Sequence, residues 1–350
     1  MKPFVLAAGV AAVIAAGAFW FLSGGAEAYV AHPLVSDRGM GARVADKALV
    51  NGWGLAASPT GPWWTSNEAT ATSTLYDGEG RKQLLTVRVD GGPTGIVYNG
   101  GKGFVVRSGR ASGPARFIYA CEDGAIRGWS PAVPHGWSTK AMVAVDAGAT
   151  GAVFRGVTIA RGRLYATDFH NDRVLVYDDR WQPLVRAGAF VDPAIPEWYA
   201  PFGIQSVGSR IFVSYAYRAP PSGNDAPTGG YVDEFDLDGR LVARVGKMGP
   251  LNQPWGLAQG PDGRLYVANF GTGRIAIFSR RSGGWRFDDY IRGRSGKPLS
   301  VNGLWGIAFG NGRMAGPKDT LFFAAGPHRW VGETEADVHG LFGAISRHSE

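Results

Sequence analysis

Residues 253–278 read Gln-Pro-Trp-Gly-Leu-Ala-Gln-Gly-Pro-Asp-Gly-Arg-Leu-Tyr-Val-Ala-Asn-Phe-Gly-Thr-Gly-Arg-Ile-Ala-Ile-Phe, and this stretch decides the fold. A glycine between apolar residues (Trp255-Gly256-Leu257) is followed by a turn at Pro261-Asp262-Gly263 and an apolar run. A second turn at Gly271-Thr272-Gly273 and another apolar run complete the unit. Both turns are strong hairpin signals, because glycine reaches the backbone angles that tight turns need. The phrase returns around Gly54, Gly95, Gly156, Gly203, Gly256 and Gly306, at spacings of 41, 61, 47, 53 and 50 residues. A period of about 50 residues built of short strands signals a β-propeller with one four-stranded antiparallel blade per repeat. Six repeats predict six blades.

The bulk composition agrees. The chain has 350 residues with 53 Gly, 21 Pro and 12 Trp, which suits many short strands joined by turns. No stretch of the body holds a 3.6-residue apolar period, so few helices are expected. The single cysteine, Cys121, excludes an intrachain disulfide. Its apolar surroundings, 117–121, predict a buried small residue rather than a nucleophile. The formal net charge is +7, with basic residues mostly scattered. The densest group (Arg280, Arg281, Arg286, Arg292, Arg294 and Lys297) is broken by Asp288 and Asp289. It is expected to be a solvated outermost strand, with no nucleic-acid partner, because no stacking array accompanies the charge.

Residues 1–28 read as a Sec-type signal peptide, with Lys2, an apolar run over 4–22 and the A-x-A site Ala26-Glu27-Ala28 before Tyr29. The alternative is an uncleaved anchor, the chain's only expected membrane contact, since about 19 apolar residues nearly span a bilayer. The expectation is therefore a periplasmic or extracellular protein whose one folded domain is 29–350. In blade 3 the four strands are expected at 156–160, 163–168, 173–177 and 181–190. Blade 6 supplies only three strands before the chain ends, so Tyr29–Ser36 is expected to close the ring as its outer strand, hiding a sheet edge. The antiparallel plan puts first-strand starts and second-strand exits on one end of the channel, the upper face. The long loops 219–229 and 326–339 open there, where binding usually resides.

The 253–278 unit resembles an NHL repeat nearly position for position, and 163–177 (Arg-Leu-Tyr-Ala-Thr-Asp-Phe-His-Asn-Asp-Arg-Val-Leu-Val-Tyr) matches its second half. The opening 49–56 (Leu-Val-Asn-Gly-Trp-Gly-Leu-Ala) and the Thr-Ser-Asn that ends at Asn67 are similar to a family of exported bacterial proteins built on such repeats. The wider group of gluconolactonase-like and paraoxonase-like propellers includes hydrolases that hold a central divalent cation, typically Ca²⁺, on Glu, Asn and Asp side chains from several blades. The resemblance implies Asn67, Glu122, Asp168 and Asn269 as the matching oxygen ligands. Blades 4 and 6 depart from that pattern with Tyr215 and Gly326.

Two catalytic candidates accompany that metal reading. His170 lies two residues from Asp168, a spacing that can support acid–base work, or else belongs to the ordinary repeat turn 168–173 held by Asn171 and Arg173. His328 lies in the blade 6 loop beside Arg329 and Trp330. Trp53, Phe202, Trp255 and Trp305 precede the repeat glycine in four blades. They form either an aromatic collar that stacks a sugar or flat ligand, or packing between blades. Thr94 and Arg155 break the aromatic pattern, which makes Arg155 a candidate anion contact and Tyr215 a further ligand contact. The functional expectation is an exported propeller that binds a small molecule, carbohydrate or protein on its upper face. The alternative is a divalent-metal hydrolase of the lactonase type with His328 or His170 as base.

Overall fold

The computed structural model describes residues 28–39, 41–218, 229–327 and 338–347. Residues 1–27, which carry the proposed signal segment, lie outside it, as does most of both long loops, 219–228 and 328–337. The first strands are β1 (Tyr29–Ser36) and β2 (Val44–Ala45). Blade 1 follows with β3 (Gly52–Ala57), β4 (Trp63–Asn67), β5 (Thr72–Tyr76) and β6 (Lys82–Arg88). Blade 2 has β7 (Pro93–Tyr98), an inserted hairpin β8 (Val105–Ser108) and β9 (Ala111–Pro114), then β10 (Phe117–Cys121), β11 (Ala125–Trp129) and β12 (Met142–Asp146). Blade 3 has β13 (Phe154–Ala160), β14 (Arg163–Asp168) and β15 (Arg173–Tyr177). Blade 4 has β16 (Tyr199–Val207), β17 (Arg210–Tyr217), β18 (Tyr231–Asp236) and β19 (Leu241–Lys247). Blade 5 has β20 (Pro254–Gln259), β21 (Leu265–Asn269), β22 (Ile275–Arg281) and β23 (Gly284–Tyr290). Blade 6 has β24 (Leu304–Phe309), β25 (Leu321–Ala325) and β26 (Leu341–Arg347). The fold is a six-bladed β-propeller of antiparallel blades, with one short 3₁₀ turn, Gly148–Thr150, as its only helical element among the described residues.

β1 closes the ring as expected, pairing antiparallel with β26 from Tyr29↔Arg347 to Ser36↔Leu341. β2 then adds outside it in parallel. The His339 ring nitrogen lies 2.9 Å from Asp37 and the Gly340 N–H donates to the same carboxylate at 3.0 Å, tying the end of β1 to the start of β26. The expected fourth strand of blade 3, 181–190, does not form. Trp181 adopts a left-handed φ of 68° and turns its ring into the blade 2 hairpin, donating its Nε1–H to the Val105 carbonyl at 3.0 Å. Pro183 has no N–H to offer a ladder. The basic group is not confined to the outermost strand of blade 5: Arg280 and Arg281 end β22, Arg286 lies on β23, and Arg292, Arg294 and Lys297 follow it. Arg280 pairs with Glu234, Arg281 with Asp288 at 3.4 Å, and Arg292 with Asp289 at 2.6 Å. Cys121 is wholly buried, and burial pushes its thiol up to about 12.

In all six blades the innermost strand carries one extra residue against its partner. Pairing jumps from Gly52↔Asn67 to Leu55↔Thr65, and the same three-against-two step recurs at 93–96, 154–157, 201–204, 254–257 and 304–307. Each step is a β-bulge, which kinks the strand and redirects two side chains. The second of the two is always the repeat glycine. A Cβ on Gly54 would stand 2.6 Å from the Thr94 carbonyl and 2.9 Å from the Ile96 nitrogen of the next blade. On Gly95 it would be 2.8 Å from the Val157 nitrogen, and on Gly156 3.0 Å from the Ile204 nitrogen. Gly203 faces the Trp255 carbonyl in the same way, Gly256 that of Trp305, and Gly306 that of Trp53, so the contact runs once around the ring. None of the six has a positive φ; what they supply is space for neighbouring backbones to touch. Gly54→Ala should therefore cost about 1–3 kcal/mol through overpacking. Gly136→Ala, where a Cβ meets nothing within 4 Å, should leave the urea unfolding midpoint unchanged.

Candidate functional site

The pleat sorts the second-strand ends into two sets. Asn67, Asp168, Tyr215 and Asn269 occupy one register position, opposite Gly52, Phe154, Pro201 and Pro254. Successive side chains in a strand point to opposite faces, so the residues one step later face the other way. Those are Glu68, Glu122, Phe169, Ala216, Phe270 and Gly326, and they form the rim of the channel mouth. Three of the four sequence-nominated metal ligands thus belong to the first set and Glu122 to the second.

The first set is engaged within its own blades. Asp168 is wholly buried and accepts from the Val153 N–H at 3.1 Å, from Asn171 Nδ2 at 2.8 Å and from Arg173 Nε at 3.0 Å. The 168–173 segment is therefore the ordinary hairpin turn, held by Asn171 and Arg173. Asn269 accepts from the Asn252 N–H at 2.7 Å and donates to the carbonyls of Pro250 and Arg274. Asn67 accepts from Thr65 Oγ1 at 2.9 Å and donates to Thr72 and Thr74, in a chain of hydroxyls that ends at Tyr76 and Asp46. Glu122 is paired with Arg155. Asn67, Asp168 and Asn269 are thus engaged in their own turns and Glu122 with Arg155, and no cluster of three His, Cys, Asp or Glu side chains fit for a metal exists among the described residues. The donor set does not fit a bound Ca²⁺.

The aromatic residues before the glycines form a plug and not an open collar. Trp53 and Trp305 stack at 3.6 Å between ring centroids, and Phe270 stacks on the other side of Trp305 at 3.8 Å. Phe202 and Trp255 meet this stack edge-on, at 6.2 and 5.6 Å from Trp53. The four repeat-position rings are buried, each no more than 7% exposed, in a cluster that also holds Ala216 and Phe169. Rings from blades 1, 4, 5 and 6 thus touch across the axis. Below them the channel retains about 40 Å³, lined by the glycine strands and Trp255, which is space for a few waters and nothing larger.

Arg155 lies across the plug. Its guanidinium carbon stands 5.2 Å from the Trp53 ring centroid and 5.9 Å from that of Phe169, within cation–π range. One terminal nitrogen pairs with Glu122, while Nε is buried with no partner among the described residues. Burial draws the guanidinium down to about 10, against the charge of Glu68, so it stays cationic at neutral pH. Glu68 is held by Asn51 Nδ2 at 2.7 Å, and Asn51 in turn accepts from Trp305 Nε1 at 3.2 Å. Three blades therefore place one cation between two carboxylates on an aromatic floor. The break in the repeat at Arg155 identified this residue; Glu68 and Phe169 were missed, although the two-residue period of a strand was a signal for them.

The other candidates lie elsewhere. His170 is exposed at the hairpin tip, where its backbone carbonyl accepts from Arg218. His328 falls outside the described residues. Tyr215 is 4% exposed and faces the contact between blades 3 and 4, away from the channel. Burial raises its hydroxyl well above the usual tyrosine range, with Asp233 and Asp192 adding to the effect. There Arg244 bridges the carboxylates of Asp233 and Asp192, with its guanidinium 4.9 Å from the Tyr231 ring. Asp233 is wholly buried and burial lifts its carboxyl to about 7 against the pull of Arg244.

Residues 251–278 match the sequence model of the NHL repeat family. The chain is 31% identical over 339 residues to "Uncharacterized protein R648" of Acanthamoeba polyphaga mimivirus, covering 90% of this chain and 79% of that one. It is likewise 31% identical over 296 residues to "Uncharacterized protein L690" of the same virus, covering 79% and 77%. These relatives are viral and lend no support to the likeness with exported bacterial proteins. Among solved structures, a streptogramin B lyase superposes with a TM-score of 0.52 at 12% identity, over 91% of this chain and 97% of that one. The PQQ-bound aldose sugar dehydrogenase of Streptomyces coelicolor gives 0.51 at 15% identity, over 92% and 99%. At such identities the likeness is one of fold.

Two outcomes follow from the geometry. Trp305→Ala should cost about 3–5 kcal/mol in chemical denaturation, the cost of emptying a packed aromatic site, whereas a residue of an open collar would cost little. Asp233 holds its proton to about pH 7 in the folded state. An unfolded aspartate releases it near about 3.9. The native state thus binds more protons between those values, and this group's share of stability falls as pH rises from about 4 to about 7. Asp233→Asn should flatten that part of the stability–pH curve; an unchanged slope would remove Asp233 as its source.

Proposed function

This chain belongs to the family of the mimivirus proteins R648 and L690, as an NHL-type six-bladed propeller, and from that premise we propose that it is a binding module. Recognition takes place on the upper face, over the plug and not inside the channel. The observation that carries this reading is Arg155: a cation from blade 3, laid on Trp53, held by a carboxylate of blade 2 and keeping a buried Nε without a partner among the described residues. Such a group is largely desolvated in advance, and with 21% of its side chain still exposed it has outer guanidinium donors to offer. A ligand oxygen, from a sugar hydroxyl, a small carboxylate or a protein side chain, completes it while the exposed edges of Phe169 and Phe270 supply apolar contact. Catalysis has no comparable support, since Asn67, Asp168 and Asn269 serve their own hairpins, Glu122 is paired with Arg155, and His170 stands apart at a hairpin tip.

Export through residues 1–28 belongs to the same proposal. It is supported by the A-x-A site immediately before Tyr29, the residue at which β1 begins. A binding module of this kind meets its ligand or partner outside the cytoplasm.

The test is a thermal-shift screen of the mature chain with neutral sugars, uronic acids and divalent cations, since a ligand of the native state raises its melting temperature. At least one sugar or sugar acid should raise the midpoint of the wild type and fail to do so for Arg155→Gln. A rise with Ca²⁺ that a chelator reverses, equal in both proteins, would contradict this reading and favour the metal hydrolase.

A further inference from the structure

Blade 3 has only three strands, so β15 is a sheet edge where every other blade has a further strand. A fourth strand begins and then peels away. Tyr177 forms a bridge with Pro183, and the Leu184 N–H donates to the Val176 carbonyl at 2.8 Å, after which the chain leaves the sheet. The Val176 carbonyl therefore points outward, and by the two-residue alternation so do the N–H and C=O of Val174. The equivalent residue of blade 5, Ile275, turns its carbonyl outward as well, where the Ile291 N–H meets it at 3.0 Å. In blade 3 no strand among the described residues meets Val174. Outside it lies a groove of about 640 Å³ between β15 and the departing chain, with Val185 92%, Val191 57% and Leu184 40% exposed.

The charge around this groove is uneven. Arg163, Arg173 and Arg186 line it, and the first and last share a single carboxylate, Asp238, at 2.9 and 3.1 Å. Arg173 reaches the buried Asp168. In the sister blade the corresponding place is filled by β23, whose sequence Gly-Trp-Arg-Phe-Asp-Asp-Tyr brings two adjacent carboxylates with its aromatic residues.

We propose that this groove is a strand-addition site, which takes one extended segment of a partner protein antiparallel to β15. Main-chain hydrogen bonds to the outward N–H and C=O of Val174 hold the segment, next to the place where Leu184 takes the Val176 carbonyl. Its apolar side chains cover Leu184, Val185 and Val191, and its carboxylates meet the arginines. The site lies on the circumference of the propeller and is separate from the upper face.

The probe is a fluorescein-labelled peptide copying residues 284–291, titrated with the whole mature protein and followed by fluorescence anisotropy. Saturable binding with a dissociation constant on the order of 10–100 µM is expected. Changing both aspartates of the peptide to lysine should weaken it about tenfold at low salt. A peptide N-methylated at alternate residues should not bind, and this variant leaves the protein untouched. Val174→Pro should abolish binding while keeping the circular dichroism and melting temperature, because an edge strand tolerates proline where its N–H faces outward. No saturable binding, or equal binding by the N-methylated peptide, would overturn the proposal. A protein dimer that the peptide dissociates would assign the groove to a second copy of this chain and overturn it too.

Discussion

The rest of the structure depends on a contact between backbones. At the repeat glycine of each blade the innermost strand comes so close to the next blade that not even a methyl group fits between them. Six such contacts in a closed circuit set the radius of the ring, and the bulge before each glycine sets the direction of the residue that precedes it. In blades 3 and 4 the glycine N–H is taken by Thr167 Oγ1 at 2.8 Å and Ser214 Oγ at 2.9 Å of the adjacent strand. Thr167 also donates to the Phe202 carbonyl at 2.8 Å, and Thr94 to that of Phe154 at 3.0 Å, so hydroxyls fasten neighbouring blades where the glycines bring them together.

A ring drawn this tight leaves little channel. The large rings at 53, 202, 255 and 305 have nowhere to lie but against one another, and their stacking closes the mouth. Aromatic contacts of this kind contribute about 0.5–1.5 kcal/mol per pair beyond the area they bury. The consequence for function is a change of place. A propeller with an open channel binds within it, whereas this one offers a floor of aromatic edges crossed by Arg155 between Glu68 and Glu122. Blade 3 is irregular at both ends of its sheet. Its first strand carries the arginine that breaks the aromatic series, and its outer edge lacks the strand that completes the other blades.

Much of the fold was legible because it repeats. Six glycines at regular spacing fixed the blade count, and a last blade one strand short called for Tyr29–Ser36 to fill it. The candidate site was less legible, for reasons of register. Asn67, Asp168 and Asn269 stand at strand exits on the correct face of the ring, yet a step of one residue separates a side chain that enters the channel mouth from one that closes its own turn. Sequence spacing finds the strand end but does not fix the pleat. The plug was hidden for a related reason: an aromatic residue before four of the six glycines is compatible with rings apart or rings in contact, and the choice depends on the radius of the propeller. The missing strand of blade 3 was masked by apolar residues at 184, 185, 190 and 191, which read as a strand until Trp181 and Pro183 are seen to turn the chain away.

Whether the aromatic plug shuts the channel is read out by indole hydrogen exchange. Trp53 and Trp255 are buried in the plug with indole N–H groups that no acceptor among the described residues meets, whereas Trp137 is 95% exposed and serves as the internal reference. In ¹⁵N–¹H spectra of the folded protein, the indole protons of Trp53 and Trp255 should exchange with solvent far more slowly than that of Trp137. Exchange as fast as that of Trp137 would show an open mouth, and would return the tryptophans to the role of a ligand-binding collar.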